Sequence, residues 1–296
     1  MENGRLRVET LGSLRVYAGD REIAVGPPKQ RALFAVLALR GDSVVSRDEL
    51  VDRLWGAAPP ATAAGSVHTY LSGLRRVLAG VDGALSSSGA GYLLEIDAAR
   101  VDARVVERLA ARARACRDRS QPLAAVAALD QALACWRPGT VLGGVPGPFA
   151  VEHRAWASAL RLRLLTERAE LLLELGRPSG LADELRGQLA AHPYDERLRA
   201  LLMTALHRSG RTADALAQYQ ELRRLLSEDL GIDPSAELQR LNSSILTDNA
   251  RIVTAPAPTT APTPAAAPSG GPRCSGPGRV VRRPGTCRSA AWRRYH

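Results

Sequence analysis

The sequence predicts an α+β N-terminal part with a small sheet, three helices and a closing hairpin. An all-helical second part and a C-terminal tail unable to bury a core follow it. Three observations lead there. Apolar and polar residues alternate between Leu6 and Val25, the pattern of half-buried strands. Val67, Leu71, Leu74 and Leu78 step round a helix at i, i+4, i+7 and i+11. From Val101 the composition shifts to helix formers, and from Ala250 to Pro, Ala, Thr and Gly.

Leu6 and Val8, then Leu14 and Val16, alternate with Arg5, Arg7, Arg15 and Tyr17 around Gly12-Ser13, and Gly19-Asp20 separates them from Ile23 and Val25. This predicts a short antiparallel sheet. Pro27-Pro28 opens a first helix, where a missing N–H costs nothing, and Leu33, Phe34 and Leu37 form its apolar face before Gly41 ends it. Ser46 and Glu49 are spaced as a capping box for a second helix, with Leu50, Val51, Leu54 and Trp55 as its buried side and Gly56 as its stop. Pro59-Pro60 enforces a loop. In the third helix, 65–78, Thr69 and Arg76 fall opposite the apolar stripe, with Ser72 nearby and His68 and Arg75 on one flank. No acidic residue occurs from Gly56 to Val81, so this face suits a phosphate backbone. Residues 84–96 read as two β-prone arms around a Ser/Gly turn, a hairpin or wing.

Sheet, three helices and terminal hairpin in this order resemble the OmpR-type winged helix of response regulators, with Leu54-Trp55-Gly56, Leu74-Arg75-Arg76 and Gly89-Ala-Gly-Tyr92 in the places of its motifs. The resemblance covers residues 5–97. It departs from the family at Gly73, where many members carry a nearby arginine, and at 86–91, which hold no cation. Within the matched helix, Thr69 can offer a methyl or hydroxyl to a base edge, and Arg75 and Arg76 can reach phosphates or a guanine. His68 and Ser72 complete that set. Lys29 and Arg31 on the first helix and Arg47 on the second are candidate backbone clamps. Trp55 and Tyr92 are expected in the core.

The second part reads as helical hairpins, with Leu109, Ala113 and Cys116, then Val126, Leu129, Leu133 and Trp136 at helical steps. A Gly/Pro-rich loop from Arg137 to Pro148 interrupts them before long helices resume from about Val151 to Leu175. Leu175-Gly176-Arg177 and Ser209-Gly210-Arg211 lie 34 residues apart, the tetratricopeptide period. His192-Pro193, Glu196-Arg197, Leu202-Met203, Ala215-Leu216, Tyr219 and Leu230-Gly-Ile-Asp-Pro234 resemble the bacterial transcriptional activator domain. In the last piece Gly231 suits a left-handed helix stop, and Asp233 a cap for a helix that Pro234 begins. Together the two parts resemble the Streptomyces antibiotic regulatory protein family over residues 5–247. The division expected is a winged helix-turn-helix at 1–97, an all-α tetratricopeptide-like domain at 98–249 and a disordered tail at 250–296.

Net charge is +10, but residues 250–296 alone carry eight arginines and no acid, while 1–97 balance eleven cations against eleven anions. The basic total therefore belongs mostly to the tail. No apolar run approaches the roughly 18 residues of a membrane span, so a cytoplasmic protein without membrane contact is expected. Cys116, Cys135, Cys274 and Cys287 lack metal-ligand spacing and read as free thiols. No phosphate loop, G-x-S-x-G, S-x-x-K or H-E-x-x-H motif is present. No enzyme activity and no cofactor are expected.

The resemblance implies a transcriptional activator of a secondary-metabolite gene cluster. Two protomers would bind direct repeats of double-stranded DNA as a homodimer and engage RNA polymerase holoenzyme, with Gly56, Pro59 and Pro60 in the polymerase-contact loop. The competing reading is a tetratricopeptide-type scaffold whose winged helix does not bind DNA.

Overall fold

The computed structural model describes residues 5–41, 43–81 and 85–254. Strands β1 (Leu6–Glu9), β2 (Arg15–Ala18) and β3 (Arg21–Glu22) form an antiparallel meander, with Val8 opposite Val16 and Tyr17 opposite Glu22. Helices α1 (Pro28–Arg40), α2 (Arg47–Trp55) and α3 (Ala63–Val77) follow, then the hairpin β4 (Leu85–Ser88) and β5 (Gly91–Leu94). Val45 and Tyr92 exchange backbone hydrogen bonds of 2.8 and 2.9 Å, an isolated antiparallel bridge that ties the α1–α2 connector to the hairpin and fixes the wing against the helices. Leu33, Phe34, Leu37, Leu50, Leu54, Val67, Leu71 and Leu74 fill the core between them.

Two local expectations are corrected. Ser46 Oγ does accept from the Glu49 N–H at 3.1 Å, but the Glu49 carboxylate does not complete the capping box: it turns to the guanidinium of Arg40. An ion pair to the end of α1 competes better than a neutral N–H. The third helix begins at Ala63, two residues before Gly65, because Ala63 is itself buried and extends the apolar stripe by one turn.

A 3₁₀ turn, Ala98–Arg100, leads into the helical part: α4 (Asp102–Asp118), α5 (Pro122–Leu133), α6 (Pro148–Glu174), α7 (Leu181–Leu189), α8 (Glu196–Arg208), α9 (Thr212–Leu225), a π turn at 226–230 and α10 (Ala236–Thr254). The helices pair as hairpins. In the turns after α6 and α8, the Arg177 N–H bonds Leu172 O and the Arg211 N–H bonds Leu206 O, around left-handed Gly176 and Gly210. This is the Schellman stop, and it is the physical content of the 34-residue spacing. The turn after α4 uses the same bonds, Gln121 N–H to Cys116 O, around Ser120 at φ 56°. Its serine hides the repeat from the sequence.

Gly231 takes the left-handed conformation at φ 67°, as its position suggests. Asp233 and Pro234 do not start the next helix. Ser235 Oγ accepts from the Leu238 N–H, and α10 opens at Ala236. The helix then runs past Ala250 to Thr254, since no proline occurs before Pro256. The remainder of the tail, with Cys274, Cys287 and the arginines from Arg273 onward, lies outside the described residues.

The two sequence-level parts share their cores. Leu11, in the β1–β2 loop, is buried among Val106, Ala110 and Leu129 of the helical part. In return Leu142 and Val145, from the 134–147 loop, and Ala150, at the start of α6, are buried in the N-terminal core. Asp102 ties the seam. At the N-terminus of α4 its carboxylate accepts from the Thr10 N–H and hydroxyl, the Leu11 N–H and Arg137.

Candidate nucleic-acid interface

Helix α3 has one dry face and one wet one. Ala63, Val67, Leu71 and Leu74 are fully or nearly fully buried, while His68, Thr69, Arg75 and Arg76 are exposed and Ser72 is half-buried between them. The 100° spacing therefore places these five side chains together, as the sequence predicts. Thr69 Oγ1 donates to Gly65 O at 3.1 Å, which commits the hydroxyl proton to the helix and leaves the methyl and the acceptor lone pairs for a partner. Arg75 and Arg76 make no ion pair among the described residues. Both sit in the last turn, where cations also offset the helix dipole by about 0.3–1 kcal/mol each.

The depth of α3 is set where it crosses α1. Gln30 is buried, its Nε2 donating to Val25 O at 2.9 Å, and its Oε1 lies 2.4 Å from where a Cβ on Gly73 would sit. Gly73 is thus a notch that receives the Gln30 amide. The sequence places Gly73 at the edge of the exposed face and does not link it to Gln30, 43 positions earlier, because only the helix crossing brings them together.

The three candidate clamps have different surroundings. Arg47 stays exposed at the start of α2, with only a loose 3.7 Å pairing to its neighbour Asp48. Lys29 donates from Nζ to Leu54 O and lies 5.0 Å above the Trp55 ring. Partial burial pushes its pKa down from the ordinary lysine value. It holds a cation at the C-terminus of α2, where the last carbonyls need donors. Arg31 reaches across the seam and donates to Gly144 O at 2.8 Å. Lys29 thus ties α1 to the end of α2, and Arg31 ties α1 to the loop before α6. Their position on the first turn of α1 gives no sign of this, because both acceptors are backbone carbonyls from elsewhere in the chain.

Gly56 closes α2 beside Pro148: a Cβ at 56 would meet Pro148 Cγ at 3.1 Å. Arg53 pairs with Glu152 at 2.8 Å one turn further along α6. The N-terminal end of α6 thus buttresses the connector 56–62, in which Pro59 and Pro60 are exposed. Trp55 and Tyr92 are half-buried against the core.

Comparison with known proteins follows the same division. The family model for the "transcriptional regulatory protein, C terminal" matches residues 21–94, and that for the "bacterial transcriptional activator domain" matches residues 101–246. The chain is 42% identical over 259 residues to the regulatory protein AfsR of Streptomyces griseus, covering 86% of this chain and 26% of AfsR. It is 36% identical over 250 residues to the regulatory protein DnrI of Streptomyces peucetius, covering 81% of this chain and 92% of DnrI. It therefore spans about a quarter of the length of AfsR and most of that of DnrI. Among solved structures, Mycobacterium tuberculosis EmbR, in complex with a low-affinity phosphopeptide, aligns with a TM-score of 0.77 at 32% identity, over 83% of this chain and 66% of EmbR.

Proposed function

Because the chain belongs to the Streptomyces antibiotic regulatory proteins, transcriptional regulators that join an OmpR-type winged helix to a bacterial transcriptional activator domain, we propose that it activates transcription by laying α3 in the major groove of direct repeats. The observation that carries this reading is the wet face of α3. His68, Thr69, Ser72, Arg75 and Arg76 converge on a helix whose opposite face is locked in a core, within a stretch that holds no acid from Gly56 to Val81. Thr69 reads a base edge, Arg75 and Arg76 bind phosphate or guanine, and Arg47 at the start of α2 adds a backbone contact. Lys29 and Arg31 serve indirectly, by tying α1 to the end of α2 and to the loop before α6.

Two protomers occupy adjacent repeats in this reading, since one wing without cations and one helix with two arginines make few phosphate contacts. The exposed Pro59-Pro60 beside Gly56 is the surface offered to RNA polymerase.

The test is a gel-shift titration of the full chain on DNA upstream of its own gene cluster, at several salt concentrations. Arg75→Ala and Arg76→Ala should each lower the slope of log affinity against log salt by about one unit if each loses one phosphate. Thr69→Ala should change sequence preference more than total affinity. Unchanged affinity in both arginine variants, with wild-type circular dichroism, would remove α3 from the groove. The balanced charge of residues 1–97 favours one competing reading, a scaffold that does not bind DNA, and it requires no retardation even at low salt.

A further inference from the structure

At the seam between the two parts lies an open cavity of about 520 Å³, within the 300–1,000 Å³ of small-molecule sites. Its walls come from three places: β1, the 98–100 connector with the start of α4, and the end of α5. Val105, Ala134 and the Cys135 thiol group supply an apolar part. The charged part is mostly self-satisfied. Arg137 bridges Glu9 at 3.2 Å and Asp102 at 3.0 Å, and Arg7 pairs with Glu9 while lying over the Tyr17 ring. Asp97 accepts from the Ala99 N–H at 2.7 Å, capping the connector turn.

Arg100 is the exception. Half-buried on the cavity wall, its guanidinium makes neither an ion pair nor a hydrogen bond among the described residues, although each of the other two arginines lining the cavity is paired. A guanidinium on a cavity wall without a protein acceptor is matched by a planar anion, which it binds through two parallel hydrogen bonds. The adjoining apolar wall accommodates a ring or aliphatic body.

We propose that this cavity binds a small organic acid, an apolar body carrying one carboxylate or sulfonate, with Arg100 as the anion partner and Val105, Ala134 and Cys135 against the body. This site is separate from the wet face of α3 and does not depend on the DNA-binding reading. A ligand seated there contacts β1, the connector and α4 at once, so occupancy stabilises the junction that joins the winged helix to the helical part.

The test uses the full chain and two fluorescent probes of one ring system. These are 8-anilinonaphthalene-1-sulfonate, which carries the anion, and N-phenyl-1-naphthylamine, which does not. The expected result is saturable one-to-one binding of the sulfonate, with the uncharged probe at least ten-fold weaker. Arg100→Ala should reduce the sulfonate to the level of the neutral probe, and Arg100→Lys should restore part of the loss. Ala134→Trp, at an exposed position on the rim, should fill the cavity and block both probes, with wild-type circular dichroism in every variant. Absence of saturable binding, equal affinity for the two probes, or sulfonate binding unaffected by Arg100→Ala and Ala134→Trp would each overturn the proposal.

Discussion

His153 shows how far one residue's surroundings can take it from its ordinary chemistry. It stacks between Phe149 and Trp156, with ring centroids 6.0 and 4.8 Å away, and its Nε2 is buried with no hydrogen-bond partner. Burial, aided by the nearby Arg154 charge and opposed by Asp102, pushes its pKa down to about 4. The folded protein therefore holds His153 neutral while the unfolded chain protonates near 6.5. Because the unfolded state binds the extra proton first, this group adds no penalty above about pH 6.5 and destabilises the fold progressively as pH falls towards 4, by up to a few kcal/mol. His153→Phe keeps the stack and removes the titration. Urea unfolding at pH 7 and pH 4.5 should show the variant losing less stability than wild type across that interval. Equal losses would mean that the imidazole is already charged, or solvated, in the native state.

At the scale of elements, the contact between α1 and α3 sets the depth of the wet face of α3. Alanine in a helix is favoured over glycine by about 1 kcal/mol, whereas overpacking a full site costs about 1–3 kcal/mol. With Gln30 in place, Gly73→Ala should therefore destabilise the protein and displace α3, weakening DNA retardation. In a Gln30→Ala background the notch is empty, so the same Gly73→Ala substitution should become stabilising. That reversal of sign, measured as a double-mutant cycle by denaturant unfolding, is specific to a contact between the two side chains. Additive effects would show that Gln30 does not seat in the notch. Helix α6 acts as a second positioning element. Its 27 residues span about 40 Å, from Pro148 at Gly56 to the α7–α8 hairpin, so one rigid rod joins the helix-turn-helix connector to the tetratricopeptide-like body.

For the whole molecule, the exchange of core residues decides what can fold alone. A fragment ending at residue 97 lacks Val101, Leu142, Val145 and Ala150, all buried in the N-terminal core, and exposes Leu11. At about 1.5–3 kcal/mol for each larger side chain, the loss is on the order of 5–10 kcal/mol, comparable to the stability of an entire domain. Residues 1–97 should therefore unfold or aggregate at temperatures where residues 1–254 remain folded. Leu142→Ala in the full chain should lower the melting temperature, through a loss of about 2–5 kcal/mol of stability, although residue 142 lies outside the winged helix in sequence. Thermal melts followed by circular dichroism check both. A fragment 1–97 as stable as the longer chain would show that the shared core contributes nothing.

What the sequence determined by itself is local and periodic. The strands at 6–18, the helix starts at Pro28 and Ser46, the wet and dry faces of α3, and the 34-residue spacing of two helix stops all follow from interactions within a few residues of one another, and their patterns survive in one dimension. The burial of Leu11 in the helical part's core and of Leu142 in the N-terminal one, the Asp102 hub, the Gln30–Gly73 notch and the engagement of Lys29 and Arg31 with backbone carbonyls were decided only by the tertiary structure. Each joins segments 25 or more positions apart at one place in the fold, with no repeat along the chain. A lone contact has no period, and a carbonyl acceptor carries no residue identity, so neither leaves a mark in the order of side chains.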